Sequence, residues 1–347
     1  MDILPNDRIS KEKKMLNYVS VSGYGWTGSS ACIDLLREFE GFGAIQGEFR
    51  IAKDPYGLRD LEESLVNNWD FVRQDIAIRD FLNFCKVLSR ETSLFSRAGK
   101  DFSNKLNVDF MLESKLYIDK LIDMVYLGNT SVHRYYIPAY KNFFMKMKSK
   151  FGNGNAVPMY LARPSKSNFA RETKNYINNL FSGYANLKKI NTLILDQAIP
   201  PGNIANTSGY FENIKIIIID RDPRDIYSSL VKNNTLLGPD LNSKDSAEKY
   251  IKWHKVLRNN SQSKIASKEN PSNVLKLNFE DLVCNYDKSV EKIANFLGEN
   301  IVHKYKNRYF DSNSKRSKSN VGLWKNHTNQ LVMEKISKEL KDYCYFD

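Results

Sequence analysis

The sequence predicts an α/β domain built on a parallel central sheet, and three observations predict it. MLNYVSVSG (15–23) is β-branched and alternating, and it runs through a glycine-rich turn into an apolar-periodic segment. NIKIIIIDR (213–221) carries a continuous isoleucine run, which suits a strand buried on both faces. Between such strands lie segments of helical spacing, so strands alternate with helices rather than with hairpins.

Taken in order, MLNYVSVSG predicts the first strand and SSACIDLLREFE (29–40) a helix whose two leading serines can cap it. FGAIQGEFRI (42–51) predicts a short second strand. From about 58 to 188 the pattern is mostly helical, as in DLEESLVNNW and VDFMLESKLYIDKLIDMVYL, and reads as a helical insertion within one domain spanning 1–347. Strand signals return in NTLILDQAI (191–199), stopped by Pro200 and Pro201, then in NIKIIIIDR and in VLKLNFEDL (274–282). Helices are expected over SAEKYIKWHKVL (246–257), DKSVEKIANFLG (287–298) and about 329–343, with a polar loop at 311–320.

The 347 residues carry 52 Lys and Arg against 40 Asp and Glu, a net charge of +12. Such a surface attracts anions: nucleotides, acidic glycans, nucleic acid or a membrane face. Cys32, Cys85, Cys284 and Cys344 lie far apart with no C-x-x-C pair, which argues against a zinc site or a disulfide framework. MDILPNDRISKEKK lacks the apolar run of a signal peptide, and no apolar stretch reaches bilayer-spanning length. The expected setting is cytoplasmic. His133, His254, His303 and His327 have no metal-ligand spacing, so no metal is expected. RYYIPAYKNFFMKMKSK (134–150) interleaves rings with lysines and could grip a nucleic acid or an acidic glycan. An amphipathic helix with its rings packed inward is the favoured reading, and no nucleic-acid partner is expected.

Chemistry concentrates in two places. Gly23-Tyr-Gly-Trp-Thr-Gly28 satisfies G-x-G-x-x-G, and Gly23 to Ser30 nearly satisfies G-x-x-x-x-G-K-[ST]. A glycine turn between strand and helix gathers backbone N–H groups and the positive end of the helix dipole on a phosphate, and Thr27, Ser29 and Ser30 add hydroxyls. Ser29 stands where a triphosphate loop has its lysine, which disfavours an ordinary ATPase or kinase. Glu48 lies at about the distance at which a dinucleotide fold binds a ribose hydroxyl. In IIIIDRDPRDIYSSL, Arg221 ends a buried strand and Ser229 falls eight residues on, inside the next helix. Guanidinium and hydroxyl together suit a second phosphate. Standing alone, Arg-Asp-Pro-Arg-Asp also reads as a helix-start salt-bridge cluster.

Together these pieces resemble the sulfotransferase family, enzymes that use 3'-phosphoadenosine 5'-phosphosulfate (PAPS). Trp26-Thr-Gly-Ser-Ser30 is similar to the family's 5'-phosphosulfate loop, and Arg221 to Ser229 to its 3'-phosphate motif. Asn278-Phe-Glu-Asp-Leu282 resembles its Tyr-Glu-Asp-Leu, followed by Phe-Leu-Gly at 296–298, and SNVGLWKNHT (319–328) resembles its late Gly-x-x-Gly-Asp-Trp-Lys-Asn loop. The resemblance covers about 15–50 and 190–330. It implies a nucleotide-kinase-like P-loop three-layer fold, PAPS as co-substrate without a metal, and a hydroxyl-bearing acceptor. A carbohydrate acceptor and a bacterial glycan-modifying branch are inferred by analogy, with peripheral membrane contact left open.

By the same resemblance, Trp26, Thr27, Gly28, Ser29 and Ser30 would hold the 5' side, and Arg221 and Ser229 the 3'-phosphate. Phe279, Lys318, Trp324 and Lys325 would complete the nucleotide site. The family's loop cation is replaced by Trp26, so Arg50, Lys53 or Lys325 must supply it, Arg50 being the first choice. Its late Arg-Lys-Gly falls on Ser317-Lys318-Ser319, with Arg316 adjacent. Asp196-Gln-Ala-Ile-Pro200 puts Ala198 where one branch has a catalytic His. QGEFR resembles another branch's Gly-Glu-Glu-Thr-Arg, which makes Glu48 the general base and Asp196 the next candidate. Two alternatives of other classes remain at this level. One is a Rossmann-type enzyme using a nicotinamide or sugar nucleotide; the other is a binding module without catalysis.

Overall fold

In a computed structural model, which describes residues 16–93, 99–129, 136, 138–150, 156–242, 245–266, 272–298 and 301–346, the chain forms seven strands. In chain order they are β1 (Asn17–Gly23), β2 (Phe42–Glu48), β3 (Met124–Asn129), β4 (Ala156–Leu161), β5 (Thr192–Asp196), β6 (Ile214–Asp220) and β7 (Val274–Asn278). Five of them make one parallel sheet in the order β2-β5-β1-β6-β7. Helices cover both faces, and the glycine-rich loop follows β1 at the centre. This is the expected nucleotide-kinase-like P-loop arrangement.

The isoleucine run explains itself in this setting. Ile216 and Ile218 point to one face, into a core with Phe49, Phe81 and Phe181. Ile217 and Ile219 point to the other, against Leu35, Leu36, Leu277 and Phe279. A strand covered on both faces has no reason to alternate with polar residues.

Several boundaries differ from the sequence reading. VLKLNFEDL is strand only to Asn278; Phe279–Cys284 is a helix, with Glu280 and Asp281 favourably placed in its first turn. The 58–188 segment contains the helices Phe71–Ser89, Phe110–Asp119, Ala139–Lys150 and Lys166–Lys188, but also an antiparallel pair, β3 with β4. Met-Val-Tyr-Leu continues the helical spacing in sequence, and pairing with β4 overrides it. The 311–320 loop includes one helical turn, Lys315–Lys318, capped by Ser314. The last helix is Gln330–Glu339, followed by a tighter turn.

The inward-ring reading of 134–150 is overturned for the residues described. In the helix Ala139–Lys150, Tyr140, Phe143 and Phe144 are about 60% exposed. Their periodicity is helical, yet the side facing the protein is the one with Met145, over a cleft. The predicted absence of an amino-terminal leader, Arg134, Tyr135, Ile137 and His133 lie outside the described residues.

Candidate functional site

β1 ends against β5 on one side and β6 on the other, so the loop after it sits over the crevice where the strand order diverges. Gly25, Trp26 and Gly28 have φ of 94°, 58° and 91°. This left-handed run curls the backbone into a shape that turns N–H groups inward, and the helix Ser29–Leu36 starts directly behind it. Gly28 is required twice over: its φ is positive, and a Cβ there would overlap the Phe279 ring.

On the β6 side stands Arg221, 6% exposed. Its Nη1 donates to the Trp26 carbonyl (3.3 Å) and to Ser229 Oγ (3.2 Å), and its Nη2 to the Asn320 carbonyl (2.5 Å). The guanidinium lies 5.0 Å from the centre of the Phe279 ring. Three predicted nucleotide residues, Trp26, Ser229 and Phe279, therefore converge on a fourth. Arg221 forms no ion pair among the described residues, and its buried Nε has no hydrogen-bond partner. Burial pulls its pKa down although Asp225 and Glu280 oppose this. A buried guanidinium with only neutral acceptors and one orphan N–H is costly, and an anion such as a phosphate fits it.

The salt-bridge reading of Arg-Asp-Pro-Arg-Asp also holds, for different residues. Asp222 caps the helix Pro223–Asn233 and pairs with Arg224 at 2.5 Å. Arg224 stacks 3.9 Å from the Trp324 ring, so Trp324 is half-buried against the protein. Asp225 accepts N–H bonds from Gly322 (2.7 Å) and Trp324 (3.0 Å), tying the late loop to the helix that carries Ser229. Sequence reasoning missed this aspartate; its signal was the unexplained second acid of the motif. Glu280 was missed as well. It is buried, accepts the Asp222 N–H at 2.9 Å, and is pushed by burial to a pKa of about 7. Lys318, Arg316 and Lys325 are exposed on the late loop, and among the described residues no hydrogen bond or ion pair joins their ammonium or guanidinium groups to the glycine-rich loop. The Lys325 ammonium lies 5.9 Å from its neighbour's ring, Trp324.

On the β5 side, Glu48 and Asp196 are register partners at the ends of β2 and β5. The turn after Asp196 is held by Gln197 N–H on the Val21 carbonyl (2.8 Å) and Ile199 N–H on Ser20 Oγ (3.1 Å). Burial, then the Glu48 charge, raises Asp196 to a pKa of about 6, against a hydrogen bond from Ser29. Its Oδ1 is buried without a partner. Arg50 was expected beside Glu48 through strand alternation, but β2 ends at Glu48 and Arg50 lies in the next turn. It still reaches back, with Nη1 3.3 Å from Glu48 and Nε 2.7 Å from Asp54. Lys53, hydrogen-bonded to Gln197 at 3.2 Å, is depressed to a pKa of about 8 by burial and the Arg50 charge. Glu48, Asp196, Arg50 and Lys53 thus form one charge cluster at the ends of β2 and β5, on the side of β1 opposite Arg221, and Ser29 joins it to the loop through Asp196. Ser30 is exposed beside Ser29, Thr27 is buried under the turn, and Ala198 is buried.

The strand order also bears on the dinucleotide alternative. In that fold the acidic residue that binds ribose ends a strand adjacent to the first; here β5 separates β2 from β1. Among the described residues, no group of three or more His, Cys, Asp or Glu is placed to hold a metal. His254 is buried and held neutral at a pKa of about 2, and His303 contacts Glu38 at 2.9 Å.

Residues 177–343 match the model of the sulfotransferase domain, the enzyme class that the sequence motifs resemble. The matched stretch contains Asp196, Arg221, Ser229, Phe279 and the late loop; the glycine-rich loop and Glu48 precede it. The match supports sulfuryl transfer as the chemistry. Among solved structures, the chain is similar to the sulfotransferase domain from the curacin biosynthetic pathway, at 11% identity and TM-score 0.44, covering 94% of this chain and 98% of that one. The sulfotransferase domain of the Synechococcus PCC 7002 olefin synthase gives 12% and 0.44, with 96% of each chain covered. Retinol dehydratase in complex with androsterone and the inactive cofactor PAP gives 14% and 0.36, covering 95% of this chain and 82% of that one. No curated protein matches the chain.

Proposed function

We propose that the protein is a PAPS-dependent sulfotransferase that moves a sulfuryl group to a hydroxyl of a carbohydrate acceptor. One observation carries the nucleotide assignment. Arg221 is buried without an ion pair, joins the phosphate-loop carbonyl to Ser229, and keeps an orphan N–H. A nucleotide with phosphates at both its 5' and 3' positions suits a loop and an arginine standing side by side.

In the reaction, the bond between sulfur and the bridging oxygen of the phosphosulfate breaks as a new S–O bond forms to the acceptor. The acceptor's proton goes to a carboxylate, and the 3',5'-bisphosphate leaves with added negative charge. Glu48 serves as the base, and Arg50, two residues on and already touching it, is the cation near the transferring group. Lys53 stands beside both and can share that work. Asp196 keeps its place as the next base. The carbohydrate, the bacterial branch and the cytoplasmic setting rest on sequence resemblance and composition.

Calorimetry with 3',5'-adenosine bisphosphate, NAD and ATP tests the nucleotide assignment, with tight binding of the bisphosphate alone expected. Sulfuryl transfer from PAPS to a panel of glycans tests the rest. Bisphosphate binding with no transfer and no PAPS hydrolysis would favour a binding module.

A further inference from the structure

The helix Ala139–Lys150 turns its apolar stripe away from the protein. At about 100° per residue, Tyr140, Phe143, Phe144 and Met147 fall within one arc of about 100°. All four are exposed, at 61, 59, 62 and 41%. The other side of the helix supplies Met145, which lines a cleft of about 680 Å³ with Ile76 and Tyr160, while the exposed Lys141 stands at the border between the two sides. The core therefore lies on the wrong side to account for the stripe.

Charge selects the partner. Lys141 and Lys146 flank the exposed arc, one on each side, and AYKNFFMKMKSK holds four lysines and no acidic residue within a chain of net charge +12. A partner must accept rings in depth and carry negative charge at its surface, the two properties that an anionic bilayer combines. A second copy meeting through the same face would bring eight lysines together with no carboxylate from either helix. No described helix is long and apolar enough to cross a membrane, so the contact is interfacial. We propose that this helix docks the protein on an anionic lipid surface, with Tyr140, Phe143, Phe144 and Met147 at the acyl boundary and Lys141 and Lys146 among the headgroups. The inference stands independently of the sulfotransferase assignment.

The test is co-sedimentation of the full chain with vesicles of phosphatidylcholine alone or mixed with phosphatidylglycerol. Binding should appear with the anionic vesicles and weaken as salt rises. The double variant F143E/F144E should lose about tenfold or more of that binding, because it removes apolar area and adds repulsion. K146E should lose roughly fivefold or more. These side chains are exposed, so both variants should keep the wild-type thermal melt. Absence of wild-type binding to anionic vesicles would overturn the proposal, as would equal binding by F143E/F144E. A wild-type dimer in sedimentation velocity that F143E/F144E converts to monomer would also overturn it and assign the face to a second copy.

Discussion

At the scale of single residues, the two sides of the proposed phosphate loop make separable predictions. Arg221→Ala removes a charged hydrogen-bond donor from the proposed 3'-phosphate. It should weaken 3',5'-adenosine bisphosphate by about 1.5 to 3 kcal/mol in calorimetry, with little effect on adenosine 5'-phosphate. Equal losses for both ligands would remove the 3' assignment. Glu48→Gln keeps the shape and takes away the proton acceptor, so bisphosphate affinity should persist while turnover drops by roughly two to four orders of magnitude. Near-normal turnover would move the base to Asp196.

Asp196 also makes a stability prediction. Its folded pKa of about 6 lies above the ordinary 3.8, so the folded state holds the proton more tightly, and wild-type stability is lost as pH rises from about 4 through about 6. Asp196→Asn escapes that loss. With allowance for partial exposure, the variant should be more stable than wild type by about 1 to 2 kcal/mol at pH 8 in urea titrations, an advantage gone near pH 4. A variant less stable at pH 8 would mean that the carboxylate's hydrogen bond from Ser29 outweighs its burial.

At the scale of elements, Asp225 supplies the hydrogen bonds that hold the late loop to the helix Pro223–Asn233 across 97 residues, beside the stacking of Arg224 on Trp324. Asp225→Ala should therefore free the loop without melting the helix. Hydrogen exchange should speed at the Gly322 and Trp324 amides, bisphosphate affinity should fall by about 1 to 3 kcal/mol, and the amides of 227–233 should keep their protection. Uniform loss of protection across the helix would show instead that the aspartate is structural throughout. This contact also marks what a sequence can disclose. Spacing within one strand–loop–helix unit is local, so the glycine turn after β1 and the contact of Arg221 with Ser229 could be read directly. Asp225 and the late loop meet only after folding, and nothing in either segment names the other. Periodicity found the ring-and-lysine helix but could not say on which side the core would lie. Arg50 reached Glu48 by a turn and not by the expected strand alternation, so its neighbour was read correctly and its backbone was not.

At the scale of the whole molecule, the part that matches the sulfotransferase model cannot be a folding unit by itself. Residues 177–343 contain β5, β6 and β7 but not β1, which fills the space between β5 and β6. An isolated 177–343 fragment should show no cooperative thermal transition in circular dichroism, because Val19 and Val21 would be missing from the core and three strand edges would open, both of β5 and one of β6. A sharp transition would mean that β5 and β6 can close on each other.

The central place of β1 also sets a timetable. Its two neighbours begin at Thr192 and Ile214, so about 170 residues of chain separate the end of β1 from its first partner. At the usual rate of synthesis that interval is roughly 10 to 35 s, through which an apolar strand and its glycine turn wait unpaired. The segment between, with its own cluster of buried rings, has time to condense before the sheet exists. The glycine-rich turn is thus made long before either neighbour of β1 and is among the last parts of the sheet to acquire its shape, and ribosome-bound chains halted before Thr192 should leave residues 17–28 open to protease.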